Sequence, residues 1–217
     1  MTKADKNFAV VLTAAWLGLV VSGFWWFQFK DLRAFASEES VVFFEGARFN
    51  QQLVKMVGDI EGLQEKITLV HFWDSECSCN RFNEPHVKQL IDKYADDNIQ
   101  FVIVARIIEH ARKDELLKLA KEIFNHPSVI SIIPEDELAF DSLPSMPAVA
   151  VLNNKKSLMY FGPYGVGAVC STENGAFVEK TLQRMFKGTP KKQLNVLAKG
   201  CFCASEKKPG TNKQKSI

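Results

Sequence analysis

Hydrophobic positions change their spacing several times along the chain, and each change marks an element. From Phe8 to Phe29 no side chain carries a charge. Twenty-two residues at about 1.5 Å each cross a hydrocarbon layer of about 30 Å, so this stretch predicts a membrane-spanning helix. Trp25 and Trp26 stand near its end, where indole rings favour the membrane–water boundary. Ser37 to Ser40 is polar. Val41 to Phe44 then predicts a short strand. Phe49, Leu53, Val57, Ile60 and Leu63 recur at helical spacing. Ile67 to Trp73 is rich in β-branched and aromatic residues and predicts a strand. Phe82, Val87, Leu90, Ile91 and Tyr94 mark a second soluble helix. Ile99 to Ala105 is nearly all apolar, the pattern of a strand covered on both faces. Leu116 to Phe124 marks another helix, and Val129 to Ile133 is a short apolar run of open type. Ala148 to Leu152 and Leu158 to Phe161 flank the turn Asn153–Lys156. Phe177 to Phe186 predicts a last helix.

Strands alternating with helices, closed by a hairpin and a helix, predict an α/β domain with a mixed central sheet. The expected organisation is a short N-terminus at 1–7, an anchor at 8–29, a spacer at 30–40, one domain at 41–187 and a flexible basic tail at 188–217. The tail reading rests on polar, lysine-rich composition, as in Lys207-Lys208-Pro209-Gly210. Ala34-Phe35-Ala36 matches a small-x-small cleavage pattern, which keeps a cleaved signal peptide as the alternative to an anchor. Lys3 and Lys6 precede the span, and Lys30 and Arg33 follow it, so charge hardly sets orientation. A short basic N-terminus left in the cytoplasm would put the domain outside the inner membrane of a bacterium.

The 217 residues are 47% hydrophobic and 24% charged, with a formal net charge of +2. That balance fits a globular core, and with no basic stripe it argues against nucleic acid as a partner. Five cysteines are too few for a disulfide-stapled miniature. Four fall in two C-x-C pairs, Cys77-Ser78-Cys79 and Cys201-Phe202-Cys203, and the fifth is Cys170. Cys77 and Cys79 would open the helix after the strand ending at Trp73. The partial positive charge there favours thiolates.

The segment Val70-His71-Phe72-Trp73-Asp74-Ser75-Glu76-Cys77-Ser78-Cys79-Asn80 resembles the active-site segment of the thioredoxin superfamily, in a membrane-anchored bacterial form with C-x-C in place of C-x-x-C. Phe72 and Trp73 match the aromatic pair, Cys77 the first cysteine, and Pro85 the helix proline. Ser145-Met146-Pro147 matches the cis-proline segment before the closing hairpin. The resemblance spans about residues 41 to 187 and implies a thioredoxin-like three-layer fold. The family's second cysteine falls on Asn80, so the second thiol is displaced to Cys79. Its buried acid falls on His71.

The resemblance implies a thiol–disulfide oxidoreductase acting on protein thiols or disulfides without a cofactor. Cys77 would attack, Cys79 would resolve, and His71, titrating near neutrality, would relay protons. Met146, Pro147 and Trp73 would shape a substrate groove. Cys170, Cys201 and Cys203 are candidate auxiliary thiols. Two rivals stay open. Cys77, Cys79, Cys201 and Cys203 as four thiolates suit zinc, copper(I) or an iron–sulfur cluster, as in a copper chaperone. The cysteines would be inert in a thioredoxin-like binding module.

Overall fold

In this computed structural model the described residues are 3–29, 32–36, 47–58, 60, 62–63, 65–95, 98–106, 113–132, 143–167 and 176–204. Helix α1 (Lys3–Phe29) carries the uncharged run, and its described side chains are all exposed. Residues Asp5–Trp26 within it are long and apolar enough to cross a membrane. Strand β1 (Leu32–Ala34) follows, and then α2 (Ala47–Gly58). The expected strand at Val41–Phe44 lies outside the described residues.

The central unit begins with β2 (Ile67–Trp73), α3 (Asn80–Tyr94) and β3 (Ile99–Ala105). It continues through α4 (Lys113–Ile123) and β4 (Val129–Ile132), which settles the apolar run of open type as a strand. Strands β5 (Ser145–Met146), β6 (Ala148–Leu152) and β7 (Leu158–Gly162) precede α5 (Phe177–Phe186). Three short strands close the described chain: β8 (Gln193–Leu194), β9 (Lys199–Cys201) and β10 (Cys203–Ala204).

Six strands form one mixed sheet in the order β4-β3-β2-β6-β7-β8. The β2–β3 and β3–β4 pairs are parallel, and β6 runs antiparallel to both β2 and β7. Strands β2, β3 and β6 are buried almost end to end, so their apolar runs face both ways. Side chains alternate between two cores. Val70, Phe72, Ala148 and Ala150 face a core closed by Phe49, Leu53 and Val57 of α2. Leu69, Trp73, Val149 and Val151 face the other, closed by α3 residues Val87, Leu90 and Ile91, by Ala120 of α4, and by α5 residues Val178 and Leu182. The result is three layers, helix on sheet on helix. With a cysteine-bearing turn leading from β2 to α3, and a cis peptide bond at Met146–Pro147 before the β6–β7 hairpin, the arrangement is thioredoxin-like.

Two boundaries differ from expectation. The supposed spacer contains β1 and buried Phe35, only 1% exposed, whose ring packs edge-on to Phe161 at 5.8 Å and Phe202 at 5.2 Å. The supposed flexible tail is folded through Ala204. Val196, Ala198 and Phe202 are apolar residues inside the polar composition, and they enter the α2-side core. Averaging composition over the tail concealed them. Residues 205–217, including Lys207 and Lys208, lie outside the described residues.

Candidate functional site

The turn between β2 and α3 is held by its own polar side chains. The Asp74 carbonyl oxygen accepts the Cys77 N–H at 3.1 Å, and its Oδ1 accepts the Glu76 N–H at 2.9 Å. Oδ2 lies 3.7 Å from the Arg106 guanidinium. The Asn80 side-chain amide donates to the Asp74 carbonyl, and that of Asn83 donates to the Cys79 carbonyl at 3.1 Å. Asp, Asn and Ser favour such local bonds, which is why this segment turns and does not prolong β2. Cys79 is the residue capping α3, so its sulfur stands at the positive end of the helix.

The C-terminal C-x-C meets this turn from the other side. Residues 199–204 are extended, so successive side chains point in opposite directions. Cys201 and Cys203 share one face, while Phe202, 3% exposed, turns into the core. Strand β9 pairs antiparallel with β1, placing Cys201 opposite Leu32. Strand β10 pairs antiparallel with β5, placing Cys203 opposite Met146. The loop at Gly167 adds backbone bonds, its N–H donating to Lys199 O at 2.9 Å and its carbonyl accepting from Cys201 N–H at 3.2 Å.

The four sulfurs pair crosswise. Cys77 is bonded to Cys203, with Cα atoms 5.9 Å apart, and Cys79 to Cys201, with Cα atoms 5.7 Å apart. Cys77, Cys79 and Cys201 are 4%, 5% and 7% exposed, and Cys203 is the least buried of the four. Cys77 Sγ lies 3.5 Å from the Met146 carbonyl oxygen, beside cis-Pro147. The expected exchange within the Cys77–Cys79 pair is thus not the state seen. A strand face carrying two cysteines two residues apart matches a turn carrying two more. Cys170 lies outside the described residues.

The expected groove is filled. Met146 and Pro147 are buried, with β10 lying along β5. Trp73 is 2% exposed and belongs to the α3-side core, its ring edge-on to Phe124 and its Nε1–H donating to Glu84 at 3.2 Å. It does not line an open groove. His71 is 1% exposed, with the Tyr164 hydroxyl 3.0 Å from its Nδ1. Burial pushes the imidazole down to about 3, so it stays neutral near pH 7 and the expected titration near neutrality does not hold. Burial likewise holds the Tyr164 phenol well above its usual range. Nearby His86, 3.5 Å from Glu179, is lowered by burial, with Glu179 acting the other way.

Sequence reasoning passed over Asp74, Arg106 and Asn80. Asp74 two residues before an N–H it can cap was a readable signal for a side-chain turn. The ion pair with Arg106, across a strand and a helix, was not.

The sequence model of the family described as Domain of unknown function (DUF6436) matches residues 47–205. The chain belongs to this family. The match takes in both C-x-C pairs and stops one residue after β10. No curated protein matches the chain. Among solved structures, a hypothetical protein from Sinorhizobium meliloti 1021 is 13% identical with a TM-score of 0.54, covering 69% of this chain and 84% of its own. An uncharacterized conserved protein from Geobacillus kaustophilus is 14% identical with a TM-score of 0.53, covering 69% and 82%. These two share the fold. A putative thioredoxin from Neisseria meningitidis overlaps at a TM-score of 0.44 and 16% identity, covering 60% and 81%.

Proposed function

We propose that this protein is a membrane-anchored thiol–disulfide oxidoreductase acting on protein thiols or disulfides, with Cys77 and Cys79 as its reacting pair. The observation that carries the reading is the meeting of Cys77 and Cys79, at the positive end of α3 beside cis-Pro147, with a second cysteine pair on one strand face. Cys201 and Cys203 are then the internal exchange partners, and His71, held neutral by burial beside Tyr164, supplies no charged proton donor.

The exchange balances as follows. A substrate thiolate attacks Cys203 Sγ, the least buried position. The Cys203–Cys77 bond breaks, a mixed disulfide to Cys203 forms, and Cys77 leaves as a thiolate favoured by the helix end. A second substrate thiolate then displaces Cys203. The substrate gains one disulfide, and the protein gains two thiols and two electrons. The Cys79–Cys201 bond provides a second two-electron step. Run backwards, reduced Cys203 attacks a substrate disulfide, and the Cys77 thiolate then displaces the substrate sulfur and closes the Cys77–Cys203 bond.

Helix α1 supports an anchor, and the burial of Phe35 just beyond it supports an anchor that is kept. The domain is assigned to the periplasmic side of a bacterial inner membrane on the basic N-terminus preceding the span and on the disulfides, which persist in oxidising compartments.

The test uses the full chain in detergent. The oxidised protein is digested without reduction and its cross-links are mapped by mass spectrometry. The reduced protein is then mixed with a disulfide-bonded protein substrate and transfer is timed. Expected are Cys77–Cys203 and Cys79–Cys201 links, and transfer that Cys77→Ser abolishes. Transfer no faster in the wild type than in Cys77→Ser would leave an inert module and overturn the reading.

A further inference from the structure

The same four sulfurs, once reduced, form a donor set that disulfide exchange does not require. Three of them, from Cys77, Cys79 and Cys203, lie within 4.8 Å of one another. The fourth, from Cys201, is bonded to one of those three at 2.01 Å. All come from two restrained segments. One is the Asp74–Asn80 turn, fixed by the Asp74, Asn80 and Asn83 bonds. The other is the 199–204 strand, fixed by β1, β5 and Phe202. The acid beside them, Asp74, is occupied by Glu76 N–H and by Arg106, so it does not compete as a ligand.

The geometry points to a four-cysteine zinc site, made of Cys77, Cys79, Cys201 and Cys203, that exists only in the reduced protein. A tetrahedral zinc ion with Zn–S bonds of about 2.3 Å spaces its sulfurs about 3.8 Å apart. The Cys79 sulfur already lies within 4.8 Å of those of Cys77 and Cys203, while the bonded pairs are closer than that spacing and must part. Breaking the two S–S bonds, at 2.11 and 2.01 Å, frees the bonded partners to rotate apart. A purely sulfur donor set in a tetrahedral arrangement selects zinc over the hard divalent cations. The positive end of α3 offsets part of the charge of four thiolates.

The reaction is balanced in two steps. An external dithiol or phosphine supplies four electrons, and with four protons two disulfides become four thiols. Zinc then replaces the four protons, giving a dianionic zinc tetrathiolate and four released protons. Zinc would hold the C-terminal strand on the site in the reduced state, as the disulfides hold it in the oxidised state, and would block Cys77 from exchange. The inference rests on the sulfur positions and not on the redox reading, since bound metal is read without any turnover.

The experiment titrates cobalt(II), then zinc(II), into the full chain in detergent under nitrogen. It is run once after phosphine reduction and removal of the phosphine, and once on the oxidised chain. Expected for the reduced protein are one cobalt per chain, intense thiolate-to-cobalt absorption, displacement by one zinc, and proton release on binding. The oxidised chain, identical in sequence, should show none of this. Cys201→Ser and Cys203→Ser should each weaken zinc binding by on the order of 100-fold or more, since even supporting residues outside the ligand set cost 10–100-fold. Absence of the thiolate band in reduced protein overturns the site, as does equal binding by the oxidised chain. Copper(I) bound in preference to zinc, with affinity unmoved by Cys201→Ser, overturns the four-sulfur zinc assignment.

Discussion

Single residues fix the sulfur register, and Gly200 shows how narrowly. A β-carbon there would lie 2.8 Å from Phe202 Cζ and 3.2 Å from the Gly167 carbonyl oxygen. The aromatic ring is wedged between that backbone and Phe35, so it has little room to give. Gly200→Ala is therefore expected to lower unfolding free energy by about 1–3 kcal/mol, as overpacking does. It should also speed reduction of both disulfides, because Phe202 and the cysteines ride on one strand. Denaturant midpoints and the rate of dithiothreitol reduction check this, and an unchanged reduction rate would show that the ring does not hold the strand. His71 makes a second prediction. Its folded pKa, about 3, lies below the ordinary 6.5, so the unfolded chain binds more protons between those values. The stability it permits is complete above pH 6.5 and falls as pH drops towards 3, with a slope of about 1.4 kcal/mol per pH unit from this group. His71→Gln should flatten that slope by about as much. Equal slopes for the two proteins would mean the imidazole is not held neutral.

At the scale of elements, β2, β3, β6 and α5 lie where the sequence patterns placed them, because each is long, periodic or continuously apolar. Short elements were another matter. Strands β5, β8, β9 and β10 have two or three residues each, too few for any periodicity to show. They exist because neighbouring backbone supplies their bonds. Strand β9 depends on β1, which lies more than 160 residues earlier. Phe35 beneath β1 tests that dependence. Phe35→Ala removes a ring that touches both Phe161 and Phe202, and should cost about 3–5 kcal/mol as buried aromatic truncations do. If β1 and β9 form one unit, hydrogen exchange at Cys201 and Gly167 should rise together in this variant. Exchange rising at neither would separate the strands.

On the scale of the whole molecule, the chain closes on itself. Strand β1, just after the apolar helix, pairs with β9, which carries Cys201, so both ends of the domain meet at the four cysteines. Cleavage after Ala36 would remove β1 and Phe35 from that assembly. The chain recovered from membranes should therefore carry its N-terminal helix, and intact mass spectrometry of the membrane fraction would show it. A mature form beginning at Ser37 would refute the anchor.

The sequence by itself determined the α/β alternation, the apolar helix, the cysteine-bearing turn at the start of α3 and the proline segment before the hairpin. Those features are local. Propensity, periodicity and spacing act within a dozen residues, and Phe72, Trp73, Cys77 and Pro147 could be placed from their neighbours alone. Only the tertiary structure decided which sulfurs meet. The Cys77–Cys203 and Cys79–Cys201 links span separations of 126 and 122 residues. They depend on two strand pairings and one buried ring that no local pattern encodes. The tail's composition predicts a flexible segment because its charged and polar residues together outnumber its apolar ones. Phe202 reverses that reading, since its ring in the core, together with the β1–β9 and β5–β10 pairings, brings two cysteines to the helix.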